Sequence, residues 1–209
     1  FSFFIIVHYL FSGDASAAIP WPTLHGSVGA LVTTFLVIPL VSKMAQIYGK
    51  KETFIISQSI SVIGYILFWF LFIPGKPHMF LYALPFFSFG IGGLFTLMMS
   101  MTSDACDYEE LQNGLPRKEG SFAAIYWWMV KLGTALAGLI SGLIMWYVGF
   151  SADATSQPDG ALTGLRIAYS TIPVLGTLFA IYIMSDYEID EQRAADIKNQ
   201  LNKINGEMN

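Results

Sequence analysis

One lysine lies deep inside an apolar stretch of this 209-residue chain. Lys131 follows the aromatic run Tyr126-Trp127-Trp128 in a segment long enough to cross a bilayer. A cation near the middle of a membrane costs about 3 kcal/mol on insertion scales, so it seldom lies there without a partner. Snorkelling is the simpler alternative, but the interface is about ten residues away, further than one lysine stem reaches. We expect Lys131 either to bind a solute or to form a structural ion pair.

Two tryptophans share a helix face with this lysine. Trp127 and Trp128 are four and three residues before Lys131, and these spacings place side chains on one side of a helix. Aromatic rings beside a charge suit sugars, because a ring packs on C–H groups while hydroxyls bond to polar neighbours. An interfacial aromatic belt is the alternative for both rings. Among other polar residues within spans, Gln58 and Thr96 are candidate solute contacts, although hydrogen bonds between helices explain such residues more often.

No acidic residue in the chain is an obvious partner of Lys131. The nearest carboxylates, Asp104 and Asp107, fall at the end of the preceding apolar segment, whereas Lys131 lies deeper. We therefore expect its partner to be a substrate or a carboxylate outside this chain.

The sequence contains no catalytic or metal-binding motif. HExxH, GxSxG, P-loop and GxGxxG patterns are absent, and Cys106 is the single cysteine, so neither an internal disulfide nor a cysteine-based zinc site is expected. His8, His25 and His78 lack the spacing of metal ligands. We predict neither an enzyme nor a metal site.

The composition indicates that lipid solvates much of the surface. Charged residues make up 12% and apolar residues 54%, whereas an ordinary soluble domain is about a quarter charged. The mean hydropathy is +0.54. The net charge of −4 and the lack of a basic run give no indication of nucleic-acid binding.

Apolar segments predict a bundle of six helices. Five are long enough to span a membrane as helices, with backbone polar groups paired internally. Residues 1–11 are apolar but about half the roughly 20 residues that a span requires, so we predict that the chain begins inside a transmembrane helix. The five full spans are expected near residues 21–42, 53–73, 79–102, 121–148 and 165–185.

Basic residues predict the orientation of the bundle. Eight fall on one side, and only Lys76 and Arg166 fall on the other, so the first side and the C-terminus are expected in the cytoplasm. The eight are Lys43, Lys50, Lys51, Arg117, Lys118, Arg193, Lys198 and Lys203. Residues 186–209 form a charged tail with apolar residues at helical spacing. We expect a short amphipathic helix that rests on the membrane or the inner face of the protein, or serves as a regulatory docking segment.

Small residues line two of the predicted helices. Gly138 and Gly142 form a GxxxG pattern, which permits close helix approach and would also suit sliding of helices during transport. Gly90, Gly92 and Gly93 give similar freedom one span earlier and would soften that helix.

Several motifs, taken in order, resemble one transporter family. The stretch from Pro39 to Lys51 is similar to the basic loop between the second and third helices of a major facilitator half. The succession D-x-x-D-Y, then G, then R-x-E-G, then a helix with K-L-G resembles the glycoside–pentoside–hexuronide:cation symporters, which include melibiose carriers. In this chain the succession is Asp104-Ala105-Cys106-Asp107-Tyr108, Gly114, Arg117-Lys118-Glu119-Gly120 and Lys131-Leu132-Gly133. Leu162 to Arg166, Pro173 and Tyr187 to Glu191 also fit.

The resemblance implies a fold and a set of site residues. It implies an all-α membrane protein, namely the six-helix C-terminal half of a major facilitator transporter with helix seven truncated. Lys131 would lie at the polar cavity near the sugar and cation sites, with Tyr126 and Trp127 at positions that contribute to the sugar pocket. Trp128 and Thr96, selected above from spacing and polarity, complete the expected substrate contacts. Melibiose carriers have small or amide side chains where Tyr126 and Trp127 stand. The expected cytoplasmic gate consists of Lys43, Gly49, Lys50, Asp104, Asp107, Tyr108 and Arg117.

The function expected from the resemblance is sugar:cation symport by alternating access. The partners would be the N-terminal half, which carries the cation-binding carboxylates, a sugar-like solute and the lipid of an inner membrane. A coupling Na⁺ or H⁺ would be needed, and no other cofactor. The alternatives are a major facilitator carrier of another solute, such as a sugar acid or a peptide, and a non-transporting membrane sensor or assembly protein.

Overall fold

The computed structural model describes residues 1–114, 116–152, 154, 157–158 and 160–207. Within these residues every regular element is a helix and no strand occurs, which confirms the predicted all-helical class. We number the helices α1 to α7 in chain order, treating contiguous α, π and 3₁₀ turns as one element. They are α1 (Ser2–Phe4 followed by π-helical Ile5–Leu10), α2 (Ala15–Tyr48), α3 (Lys50–Leu71), α4 (Pro77–Asn113), α5 (Glu119–Tyr147), α6 (Ala161–Ser185) and α7 (Glu191–Glu207).

Five of these helices, α2 to α6, are long and apolar enough to cross a membrane. Each begins two to six residues before the apolar segment that predicted it, and α4 ends 11 residues after its segment, at Asn113. The D-x-x-D-Y motif, for example, lies on α4 instead of in a loop, since this helix continues to Asn113. Gly114 then ends it with a left-handed φ of 62°, and its N–H donates to Glu110 O.

The predicted basic loop between the first two full spans is reduced to one residue. Lys43 lies on α2 and Lys50 begins α3, with only Gly49 between the two helices. Gly49 has a φ of 84°, a value that a residue with a side chain adopts only under strain. The chain therefore reverses direction at a single glycine.

Two apolar cores occupy the two ends of the bundle. We call the end that carries Lys50 and Arg117 the basic end, and the end that carries Lys76 and Arg166 the opposite end. Near the basic end, α2, α3, α4 and the end of α6 bury one cluster. Near the opposite end, α1, α3, α4 and α6 bury a larger aromatic cluster around Phe68.

Close packing is concentrated where α3 crosses α4. A methyl group added at Gly64 would overlap the backbone N of Phe87, and one at Gly90 would lie 2.8 Å from Ser61 Cβ. Gln58 adds a buried hydrogen bond to this contact, because its Nε2 donates to Gly90 O at 3.0 Å. We call the contact formed by Gln58, Ser61, Gly64, Phe87 and Gly90 the α3–α4 seam. These residues fix α3 against α4 and leave no space for one helix to slide past the other.

The helix α5 is attached to the bundle much less closely. None of its residues is buried, and a methyl group added at Gly133, Gly138 or Gly142 would meet no atom within 4 Å. The close helix approach predicted from Gly138 and Gly142 is therefore not made within the described chain. Their face of α5 is free.

The tail helix α7 packs on the basic end of the bundle. Ile197 and Leu201 are buried, with 4% and 9% of their surface exposed, and the helix contacts the end of α4. Asp190 caps its first turn, because its side chain accepts from the Arg193 N–H at 2.8 Å. The amphipathic tail thus lies on the protein itself.

Candidate functional site

Lys131 projects from the free side of α5. The α5 residues that border its neighbours lie on one face of the helix, including Phe122 and Ala123 beside α4, and Leu136 and Ile140 beside α1 and α6. At about 100° per residue, Lys131 lies on the opposite face. Its side chain is exposed, and no described carboxylate lies within 4.0 Å of its Nζ.

The two tryptophans accompany this lysine, and Tyr126 does not. Trp127 and Trp128 are 46% and 61% exposed on the free side of α5. Tyr126 instead turns toward the bundle, where its hydroxyl is buried and has no hydrogen-bond partner among the described residues. The free face therefore presents one cation and two indole rings next to the small residues Gly138 and Gly142, a surface on which a polar solute or another helix can lie.

Thr96 belongs to the α4–α5 boundary. Met99 and Ser103 line a groove against α5 together with Phe122. Thr96 comes three residues before Met99 and seven before Ser103, so it lies on the same face of α4. Because α4 and α5 are antiparallel, this spacing places Thr96 about level with Tyr126. The structure thus separates the five predicted substrate contacts into two groups. Lys131, Trp127 and Trp128 form one group, and Tyr126 and Thr96 form the other.

Four of the seven predicted gate residues form ion pairs at the basic end. Lys50 Nζ lies 2.6 Å from Asp104 Oδ2, with side chains 23% and 14% exposed. This pair joins the first residue of α3 to α4. Gly49, directly before it, approaches the tail, since an added methyl group would lie 3.5 Å from Glu191 Cβ.

Arg117 joins α4 to the start of α5. Its guanidinium pairs with Asp107 at 3.1 Å and with Glu119 at 2.7 Å, and also donates to Ser103 Oγ. Partial burial lowers the pKa of Arg117, but the two carboxylates more than offset this effect and raise it overall. Arg117 therefore holds its charge at any physiological pH.

The tail adds two contacts at the same end. Lys51 Nζ donates to Tyr187 O at 2.9 Å, and the Arg193 guanidinium lies 5.5 Å from the centre of the Tyr108 ring. Burial, followed by the nearby Asp104 charge, raises the pKa of Tyr187 to about 12. The hydroxyl of Tyr187 therefore stays protonated at physiological pH.

A family model described as MFS/sugar transport protein matches residues 10–191. The chain belongs to this family. Its apolar helices and its family together make it a multi-pass membrane protein of the major facilitator superfamily, and they confirm the resemblance to glycoside–pentoside–hexuronide:cation symporters that the motifs predict.

Three curated relatives come from Escherichia coli strain K12. A glucuronide carrier protein homolog is 30% identical over 167 residues, which are 80% of this chain and 36% of the relative. A putative glycoside/cation symporter is 26% identical, with 86% of this chain and 38% of the relative covered. A putative sulfoquinovose importer is 28% identical, with 85% and 37% covered. The chain thus spans little more than a third of these relatives, and no solved structure matches it.

In this family member, six of the seven predicted gate residues meet at the basic end. Lys50, Asp104, Asp107 and Arg117 form ion pairs, while Gly49 and Tyr108 contact the tail. Lys43 is the exception, since it is exposed on α2 and no described carboxylate lies within 4.0 Å of it.

Sequence reasoning missed the part that the tail plays at this end. Lys51, Tyr187 and Arg193 join the network through a backbone carbonyl and an aromatic ring. Neither type of contact leaves a charge pattern in a sequence. One feature of the sequence could have indicated this role. Residues Tyr187 to Glu191 fit the family pattern, which suggests that the start of the tail has a defined place on the bundle.

Proposed function

We propose that this chain supplies five complete transmembrane helices and part of a sixth to a sugar:cation symporter that works by alternating access. Membership of a sugar-transport family and the names of the relatives support this function. Alternating access requires two bundles that rock about a site between them. Since the chain spans little more than a third of its relatives, we propose that a second bundle belongs to the complete carrier.

The free face of α5 is the observation that carries this proposal. A membrane helix with no buried residue and a cation on its free side is costly in lipid. The cost disappears if the face lines a water-filled cavity between two bundles. Lys131 would then bind either the solute or a carboxylate of the second bundle, and one of the two indole rings would stack on the sugar.

The ion pairs at the basic end support a rigid-body movement. The Lys50–Asp104 pair joins α3 to α4, and Arg117, paired with both Asp107 and Glu119, joins α4 to the first residue of α5. We propose that this end faces the cytoplasm, as the excess of lysine and arginine indicates, and that the carrier resides in an inner membrane. The coupling ion would be Na⁺ or H⁺, bound by carboxylates of the second bundle.

Substitution of Lys131 tests the proposed function. In cells that produce the complete carrier, Lys131→Ala is expected to abolish cation-coupled uptake of a radiolabelled glycoside or hexuronide while membrane insertion remains normal. Lys198→Ala is the matched control, because Lys198 lies on the tail helix outside the predicted gate, is also exposed and has no carboxylate within 4.0 Å among the described residues. Normal coupled uptake by Lys131→Ala would refute the role of this lysine.

The tryptophans allow a finer test of the sugar contact. If Trp127 stacks on the sugar, Trp127→Phe should raise the KM of uptake mildly and Trp127→Ala strongly, since a smaller ring retains part of the stacking. The same pair of substitutions at Trp128 tests which ring faces the solute. Equal and negligible effects at both positions would assign the two rings to packing.

A further inference from the structure

We propose that Arg166 and the groove between α3 and α6 bind an anionic phospholipid. This site is separate from the transport site, because it lies at the opposite end of the bundle and involves two helices that pack against each other. The phosphate and acidic headgroup would bind the guanidinium, and an acyl chain would lie in the groove.

Arg166 is held in place with most of its donors unused. Its guanidinium carbon lies 4.1 Å from the centre of the Tyr9 ring and 4.5 Å from that of Trp69. Nη2 donates to Trp69 O at 2.8 Å, which is its one hydrogen bond to a described residue. A guanidinium carries five N–H groups in a fixed fork that matches the oxygens of a phosphate. In Arg166 the Nε is buried and has no hydrogen-bond partner among the described residues. The arginine is therefore pre-oriented, and the donors left for a ligand are those of Nη1 and the second N–H of Nη2.

The charge of Arg166 lacks a described counterion. Its two aromatic neighbours attract a cation but do not neutralise it, and no described carboxylate lies within 4.0 Å. Asp153 and Asp159 lie outside the described residues, so their possible contribution enters the test below. At the level where a helix leaves the membrane, an anionic headgroup is the complementary charge that a bilayer provides.

The groove next to Arg166 has the shape and polarity for a lipid chain. It encloses about 380 Å³ between Trp69 and Ile66 on α3 and Ile167 and Val174 on α6. Its walls are apolar except for Ser170 and Thr171, whose hydroxyls make no hydrogen bond to a described residue. Hydroxyls in lipid normally find a partner, and the ester carbonyls of a phospholipid are suitable acceptors.

Along α6, the charged, hydroxyl and apolar side chains of the proposed site follow the same order in depth as the parts of a phospholipid. Going from the opposite end toward the middle of α6, Arg166 comes first, the Ser170 hydroxyl lies about 6 Å deeper and Val174 about 12 Å deeper, at 1.5 Å per residue. A headgroup, an ester linkage and an acyl chain occur in this order. Charge complementarity and depth therefore favour the same ligand.

The test is native mass spectrometry of the protein released from nanodiscs that contain equal amounts of phosphatidylglycerol and phosphatidylcholine. The wild type should retain phosphatidylglycerol selectively. Arg166→Gln is expected to reduce this retention about tenfold, because it removes a charged hydrogen-bond donor. Lys76→Gln is the matched control at the same end, and it should retain the lipid as the wild type does.

A second variant separates lipid binding from a structural role of Arg166. Ile167→Trp fills the groove and leaves the guanidinium between its two rings, so it should also reduce retention. Selective retention by both variants, or equal retention of the two lipids by the wild type, would overturn the proposal. A preference that emerges only in the double variant Asp153→Asn/Asp159→Asn would likewise overturn it, since those carboxylates would then be the counterions.

Discussion

The helices α4 and α5 both contain several glycines, and they use them in opposite ways. A methyl group added at Gly90 or Gly93 of α4 would approach a serine of α3 to within 3 Å, at 2.8 and 2.7 Å. On α5, the same addition at Gly138 or Gly142 would meet nothing within 4 Å. A small-residue pattern thus identifies a surface suited to close approach, but it does not tell which neighbour covers it.

The α3–α4 seam and the Lys131 face of α5 also differ in how tightly they are packed. The α3–α4 seam has buried serines and a buried glutamine hydrogen bond, and it forms a fixed core. The face of α5 with Lys131 is smooth and carries an unpaired charge within the described chain. We interpret the seam as the support and the α5 face as the working surface.

The largest difference is expected between two glycine-to-alanine substitutions, one in the α3–α4 seam and one on the free face of α5. Gly64→Ala should destabilise the purified protein by about 3 kcal/mol, because the added Cβ overlaps the backbone of Phe87 and cannot be accommodated by a rotamer change. Gly138→Ala, the matched control, should change stability by less than about 1 kcal/mol. Thermal unfolding in detergent measures both, and similar losses in the two variants would contradict the comparison.

A smaller loss is expected from the hydrogen bond within the seam. Gln58→Leu removes the donor to Gly90 O while retaining most of the volume, and such bonds in membranes contribute about 1 kcal/mol. Ser59→Ala is the control on the next residue, since Ser59 Oγ donates only to the backbone of its own helix, at Ile55 O. Unfolding in SDS should show a loss for the glutamine variant alone.

The smallest expected effect concerns the ion pairs at the basic end. A double-mutant cycle with Lys50→Ala and Asp104→Ala should give a coupling of about 0.5 kcal/mol, within the range for exposed pairs. The same cycle on Lys118 and Glu109, a more exposed pair at 2.7 Å, should give less. If the coupling is as large for the more exposed pair, partial burial of the Lys50–Asp104 pair does not strengthen it.

The fold was predictable from the sequence to a large extent, because lipid imposes a simple rule. A segment of sufficient apolar length must be helical, so the five spans follow from hydropathy. The ends of the helices did not follow, since hydropathy stops at the membrane surface whereas hydrogen bonding continues to a breaker such as Gly114.

The candidate site was predictable in part. Lys131 could be selected from the sequence because a charge stands out in an apolar segment. The direction of Tyr126 could not be predicted, because it depends on which face of α5 meets α4, and the aromatic residues 126–128 extend around both faces. Pairing of Lys50 with Asp104 is likewise a contact across 54 residues, and spacing carries no information on it.

The packing of α3 on α6 has a consequence for how the protein is made. Arg166 donates to Trp69 O across 97 residues of chain. At 5 to 20 residues per second, a ribosome needs about 5 to 20 s to synthesise that interval. During that time α4 and α5 insert while the α6-facing side of α3 remains in contact with lipid or insertion factors. That side of α3 is apolar, with Ile66 and Trp69 on it, so it is stable in lipid before α6 is inserted and packs against it.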